Sequence, residues 1–221
     1  MIYNLSHQPG RWMFCEGSAF LYFSGTSYLG IANDPVFHER LASSISQYGS
    51  SFGSSRVGFM RLAIYEETEE LLARYLGQEA ALTVSSGTLA GILAYKVFTS
   101  VGELIFAPNA HPALWLEIPE SFSSRSEWED NFIFKSHQSG PPLFIYSNAI
   151  DSLQVIEYDF NWLHRLGNKR EIILVLDESH TLGIRGKDGS GILSSLTLPE
   201  QVQGVVIGSL GKGLGIPAGV I

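Results

Sequence analysis

Ile172-Ile173-Leu174-Val175-Leu176-Asp177-Glu178-Ser179-His180 is the stretch on which the fold turns. An unbroken aliphatic run excludes a half-solvated strand, in which apolar and polar residues would alternate. It reads as a strand buried on both faces, as in a parallel sheet covered by helices. The run ends abruptly in two acids and a histidine. In open α/β sheets the carboxyl ends of the strands are where ligands bind. Taken alone, the segment fits equally a helix cap with a surface acid and a satisfied histidine.

A second segment tips that balance. Val205-Val206-Ile207 is another buried strand, and it empties into Gly208-Ser209-Leu210-Gly211-Lys212-Gly213-Leu214-Gly215, which sets a lysine among glycines instead of on a solvated helix. Further apolar strands are expected at 103–106, 143–146, 172–176 and 204–207. Helices between them predict an α/β domain with a mostly parallel sheet covered on both faces.

The amino-terminal half supplies the helices. Phe20 to Phe23 reads as a short strand before the turn-rich Ser24-Gly25-Thr26-Ser27. Asp34-Pro35 starts a helix that stops near Tyr48-Gly49, with Val36, Phe37, Leu41 and Ile45 as its buried stripe. The Gly/Ser-rich stretch from Gly49 to Gly58 is a loop holding one cation, Arg56. A second helix from about Leu62 to Leu76 ends at Gly77, with Glu66, Glu67, Glu69 and Glu70 on its solvated side. Ala80 to Val84 reads as a strand running into Ser85-Ser86-Gly87-Thr88, and Leu89 to Phe98 as a helix. Those small polar residues fall at a helix amino terminus, where backbone N–H groups gather anions. The polar stretch from Pro119 to Gly140 shows no clear period.

Composition removes several classes of function. With 221 residues, 45% of them hydrophobic, the chain can bury a substantial core. Its 14 basic and 22 acidic residues give a net charge of -8 with no basic cluster, which argues against nucleic acid as a partner. Cys15 is the single cysteine, so an internal disulfide and a cysteine-based zinc site are excluded, and a reducing, cytoplasmic setting is expected. His7, Pro9, Gly10 and Arg11 interrupt the start where a secretory peptide needs an apolar run, and no later run is long enough to span a bilayer. A soluble protein is expected.

Two motif readings fail on their context. Asp177-Glu178-Ser179-His180 looks like the metal-binding box of helicase-like ATPases, but a phosphate loop needs Gly, four residues, then Gly-Lys and Ser or Thr. Here position 206 is valine, Gly213 follows Lys212, and the loop lies downstream of the acids. Gly49-x-Ser51-x-Gly53 matches a serine-hydrolase elbow, yet a helix precedes it where an elbow requires a buried strand.

Asp177-Glu178-Ser179-His180-x-x-Gly183 together with Ser209-x-x-Lys212-x-x-Gly215 is similar to the α-oxoamine synthase group of pyridoxal-phosphate enzymes, which have the fold-type I aminotransferase architecture. Tyr28-Leu29-Gly30, Gly53-Ser54-Ser55-Arg56, Ser86-Gly87-Thr88 and His111 in Asn109-Ala110-His111-Pro112 extend the resemblance over nearly the whole chain. It implies that Lys212 holds the aldehyde of pyridoxal 5'-phosphate and acts as a base once the substrate amine displaces it. By the same resemblance Asp177 pairs with the pyridine nitrogen, His180 hydrogen-bonds the phenolic oxygen, and His111 lies against the ring. The phosphate would rest on Ser86, Gly87 and Thr88, helped by Ser209.

The implied reaction condenses a small amino acid with an acyl-CoA, with loss of carbon dioxide, to give an α-amino ketone. Transamination or lyase chemistry with the same cofactor, or a non-catalytic relative acting as a binding partner, are the alternatives. The resemblance further implies a homodimer, with the Gly49 to Gly58 loop near its interface and Arg56 as an interface or site cation. An amino-terminal segment of residues 1–33 is expected before a large domain of residues 34–221 that is incomplete at its carboxy end. The family's carboxy-terminal small domain, which usually binds the substrate carboxylate, would lie outside this chain, and these residues alone are expected to be poorly active. Three departures bear on substrate recognition: Thr26-Ser27 stands where the group reads Asn-Asp, Tyr65 or a neighbour replaces a histidine, and Ser147-Asn148-Ala149-Ile150-Asp151-Ser152 replaces an acid-Ser-Met-Asp-Gly stretch.

Overall fold

The aliphatic run becomes a strand because both of its faces are covered. The computed structural model describes Ile2 and residues 4–221; Met1 and Tyr3, at the start of the amino-terminal segment, lie outside the described residues. In chain order, β1 (Trp12–Cys15) and β2 (Ser18–Leu21) form an antiparallel hairpin. The hairpin places the expected strand two residues early, so that Phe23, 92% exposed, lies beyond it. Next come α1 (Pro35–Tyr48), α2 (Ala63–Leu76), β3 (Thr83–Val84), α3 (Gly87–Thr99), β4 (Glu103–Phe106), α4 (Arg125–Ser136) and β5 (Leu143–Asn148). A small hairpin, β6 (Ile150–Asp151) with β7 (Ile156–Glu157), precedes β8 (Ile172–Asp177), β9 (Val202–Ser209) and β10 (Gly219–Val220).

Among the described residues the main sheet has six strands in the order β3-β10-β9-β8-β5-β4. Neighbours from β4 to β9 pair in parallel, whereas β10 runs antiparallel to both β9 and β3. Side-chain alternation divides each central strand between two cores. Ile172, Leu174 and Leu176 pack with Trp128 and Phe132 of α4 and with Trp162. Ile173 and Val175 face Ala90 and Ala94 of α3 on the other side. This double burial explains why β8 carries no alternation in its sequence.

Local chemistry sets the helix ends. Asp34 Oδ1 accepts from Phe37 N at 2.9 Å with Pro35 in the first turn, Gly77 closes α2 at φ 68°, and Ser86 Oγ accepts from Leu89 N at 3.1 Å to start α3. α3 therefore begins at Gly87, two residues before the apolar run suggests, and β3 keeps only Thr83 and Val84 of the expected strand. The polar stretch 119–140 contains α4, capped by Ser124, whose Oγ accepts from Glu127 N at 3.1 Å.

Two expectations need correction. The stripe of α1 is not buried: Val36, Leu41 and Ile45 are 57, 42 and 47% exposed, because among the described residues the helix packs chiefly on the short turn Ile31–Asn33. Glu69 does not belong to a solvated face, since it receives both Arg56 Nη2 contacts, at 2.7 and 2.8 Å, and the Thr83 N–H at 2.6 Å. Burial alone would raise the Glu69 pKa, but the hydrogen bonds from Arg56 and Thr83 outweigh it and lower it. Arg56 thereby ties the 49–58 loop to α2 and β3, its Nη1 also donating to Thr83 O at 2.8 Å.

Candidate functional site

The parallel strands deliver their polar residues to one edge. Asp177, 8% exposed, is the last residue of β8 and stands in register with Asn148 of β5 and Ile207 of β9. Its Oδ1 accepts from Ser179 N at 2.9 Å, which fixes the carboxylate. Ser179 Oγ in turn accepts from Ser209 N at 2.9 Å and joins the end of β8 to the end of β9. His180 follows in the same turn.

Lys212 sits in the loop between β9 and β10. Leu210 N donates to Ala218 O at 2.9 Å and Ile216 N to Leu210 O at 3.1 Å, so the loop is bonded across its own base. A Cβ on Gly213 would come within 2.2 Å of Leu182 O, so a glycine is required for the lysine loop to lie against the Asp177–His180 turn. Burial lowers the Lys212 pKa, with Asp177 opposing. Burial also lowers that of His180, with Lys212 and His111 acting in the same direction and Asp177 against them. The charges of Asp177, His111 and Lys212 thus all act on the His180 ring.

His111 enters from the loop after β4. Its Nδ1 accepts from Ala113 N at 3.1 Å, and its own N–H donates to Asn148 Oδ1 at 3.0 Å while Asn148 Nδ2 donates to Asn109 O at 2.7 Å. Sequence reading missed Asn148 as the anchor of the His111 loop. The available signal was that β5, like β8, is an apolar run that breaks into polar residues, Ser147 and Asn148. On the other side of the loop, a Cβ on Gly91 would meet Ala113 O at 2.1 Å, which shows how closely α3 lies under it.

The predicted phosphate residues gather at the amino terminus of α3. Ser86 spends its hydroxyl oxygen on the helix cap, and the N–H groups of Gly87 and Thr88 have no acceptor among the described residues. Ser209 borders them, its Cβ 2.8 Å from where a Gly87 Cβ would stand, and its Oγ accepts from Gly211 N at 3.3 Å. Free helical N–H groups beside a hydroxyl suit a dianion. The donor set therefore fits pyridoxal phosphate: amides for its phosphate, a buried carboxylate for a protonated ring nitrogen, and an amine of lowered pKa for its aldehyde.

Glu178 supports this edge from beneath without entering it. Fully buried, it accepts from Leu193 N at 2.7 Å, from Ile192 N at 3.1 Å and from Thr181 Oγ1. Burial raises its pKa and Asp177 adds to the effect, although the three hydrogen bonds pull it down. A folded-state pKa above the unfolded one means stability falls as pH rises from the ordinary glutamate range through the raised value. Glu178→Ala is expected to cost about 2–4 kcal/mol by leaving buried donors unpaired. Glu178→Gln keeps an acceptor without the charge, so in urea unfolding over a pH series the stability of the natural chain relative to the glutamine variant should fall as pH rises through that range.

Three surface hollows lie away from these strand ends, the largest, about 890 Å³, against Leu82, Phe98, Leu193 and Val206. Among the described residues no group of acidic, His or Cys side chains could hold a metal, and no helix is long and apolar enough to cross a membrane.

No protein-family model matches the chain. It is 26% identical over 214 residues to the 8-amino-7-oxononanoate synthase of Lysinibacillus sphaericus, covering 93% of this chain and 54% of that protein. The Petrotoga mobilis protein of the same name is 25% identical over 229 residues, or 100% of this chain and 58% of its own length. A serine palmitoyltransferase from S. paucimobilis, solved with a bound PLP–myriocin aldimine, superposes at TM-score 0.81 and 17% identity, covering 99% of this chain and 57% of that one. The 8-amino-7-oxononanoate synthase structure from Francisella tularensis gives 0.66 at 20% identity, over 90% and 56%. The chain spans about half the length of these proteins, the portion that forms their large domain. Likeness in sequence over nearly the whole chain, together with likeness in fold, makes it a relative of the α-oxoamine synthase group of fold-type I pyridoxal-phosphate enzymes.

Proposed function

We propose that the chain is the cofactor-holding portion of a pyridoxal-phosphate enzyme that condenses a small amino acid with an acyl-CoA, releasing carbon dioxide and an α-amino ketone. The observation that carries this reading is the convergence of Asp177, His180 and Lys212 on one sheet edge beside the open amides of Gly87 and Thr88. Bound there, the cofactor supplies an electron-withdrawing ring that stabilises negative charge at the α-carbon of the amino acid. Asp177 holds positive charge on the ring nitrogen. Lys212, its pKa lowered by burial, offers more free amine near neutrality, as a nucleophile and base requires. His111 and His180 border the space between them. The relatives' names, synthases by sequence and a palmitoyltransferase by structure, support acyl transfer over transamination.

The reading includes a homodimer. Val57, Phe59 and Met60 in the loop before α2 are 83, 98 and 61% exposed, an apolar surface suited to burial against a second copy. The deciding experiment adds pyridoxal phosphate, reduces with borohydride and maps the labelled peptide. Label on Lys212 is expected, and, in a parallel assay of the unreduced whole enzyme, product and carbon dioxide are formed only when acyl-CoA accompanies the amino acid. Label elsewhere or nowhere defeats the cofactor assignment, and product from amino acid without acyl-CoA would move the reaction to transamination or lyase chemistry.

A further inference from the structure

Tyr28 stands 152 positions before His180, yet its hydroxyl lies 2.6 Å from His180 Nδ1. The two rings are tilted by 57° with centroids 6.1 Å apart. Tyr28 hangs from the turn that leads into Ile31–Asn33, so this contact ties the amino-terminal segment to the carboxyl end of β8. His180 Nε2 takes no partner among the described residues.

A bond between a phenol and a neutral imidazole has a preferred sense. The phenol is the stronger donor and the unprotonated ring nitrogen the stronger acceptor, and 2.6 Å suits an O–H donor. Burial raises the Tyr28 pKa, which keeps the phenol protonated. Burial, Lys212 and His111 lower that of His180 against the pull of Asp177, which favours the neutral ring. The geometry points to Tyr28 as a positioning residue: it donates to His180 Nδ1, confines the ring proton to Nε2, and so turns an N–H donor toward whatever acceptor the site holds. This inference rests on the proposed function only for the identity of that acceptor, the phenolic oxygen of the pyridoxal ring. One nitrogen of a histidine setting the role of the other is the same logic that orients metal-bound histidines.

The test needs no cofactor. Histidine labelled with ¹⁵N in the 221-residue chain gives long-range spectra that report which ring nitrogen carries the proton, and His180→Gln identifies the signal by its loss. His180 is expected almost wholly as the Nε2–H form. In Tyr28→Phe the ratio of the two forms should fall about fivefold or more, the size of one net hydrogen bond. An unchanged ratio in Tyr28→Phe overturns the inference. So does a proton on Nδ1 in the natural chain, and that spectrum is decisive even if the variant fails to fold. Because the measurement is made without pyridoxal phosphate, failure of trapping at Lys212 leaves it standing, and a wrong tautomer leaves the trapping result standing.

Discussion

Lys212→Ala is expected to abolish the borohydride-fixed label completely and to lower turnover by at least about 10²–10⁴-fold, the range lost with a general base. The chain should fold as before. Burial holds the Lys212 pKa below the ordinary lysine value, so the folded state opposes its charge. By linkage that opposition is present in full below the folded pKa and is relieved as pH rises from there toward the unfolded value. At neutral pH the alanine variant therefore unfolds at an equal or higher urea concentration than the natural chain. Label persisting in the variant would mean that another amine takes the cofactor and would remove Lys212 from the centre of the site.

Asp177→Asn isolates the charge from the shape. Asparagine retains an oxygen for the Ser179 N–H, so the turn at the end of β8 should survive and the thermal midpoint should move little. What it loses, on the proposed function, is the negative partner of a protonated ring nitrogen; Asp177 itself is buried. Breaking such a pair costs about 3–5 kcal/mol, so an absorbance titration with pyridoxal phosphate should show affinity weakened by roughly two to three and a half orders of magnitude. A change of less than about tenfold, one step of 1.4 kcal/mol, would show that Asp177 does not face that nitrogen.

The features legible in the sequence were those with local causes. β8 announced itself because burial on both faces removes polar residues from the strand, and Lys212 because glycines surround it where a solvated lysine would have helix formers. The start of α3 followed from the run of small polar residues before it. α4 escaped notice because Trp128 and Phe132, four residues apart, are its large buried side chains, with Glu127, Glu129, Asp130 and Lys135 diluting their period. Glu69 was misread because its partners, Arg56 and Thr83, are brought to it by tertiary folding, whereas its neighbours in sequence are solvated glutamates. The same holds for Tyr28, whose tie to His180 no spacing rule could find. The stripe of α1 shows the reverse error: its period was read correctly, yet Val36, Leu41 and Ile45 stay exposed because the helix packs chiefly on the short turn Ile31–Asn33.

One strand completes the frame of the proposed site. β3, which leads into Gly87 and Thr88, and β9, which ends at Ser209, lie far apart in the chain; in the sheet β10 pairs with both of them, while α3 packs directly on β9 and brings Gly87 against Ser209. Until β10 pairs with both, the open amides of Gly87 and Thr88 and the lysine loop lack their shared sheet frame. Such long-range pairing is slow to form. On the proposed function, capture of the cofactor would report closure of the sheet, and a refolding chain is expected to regain its helical signal well before any ability to hold a phosphate.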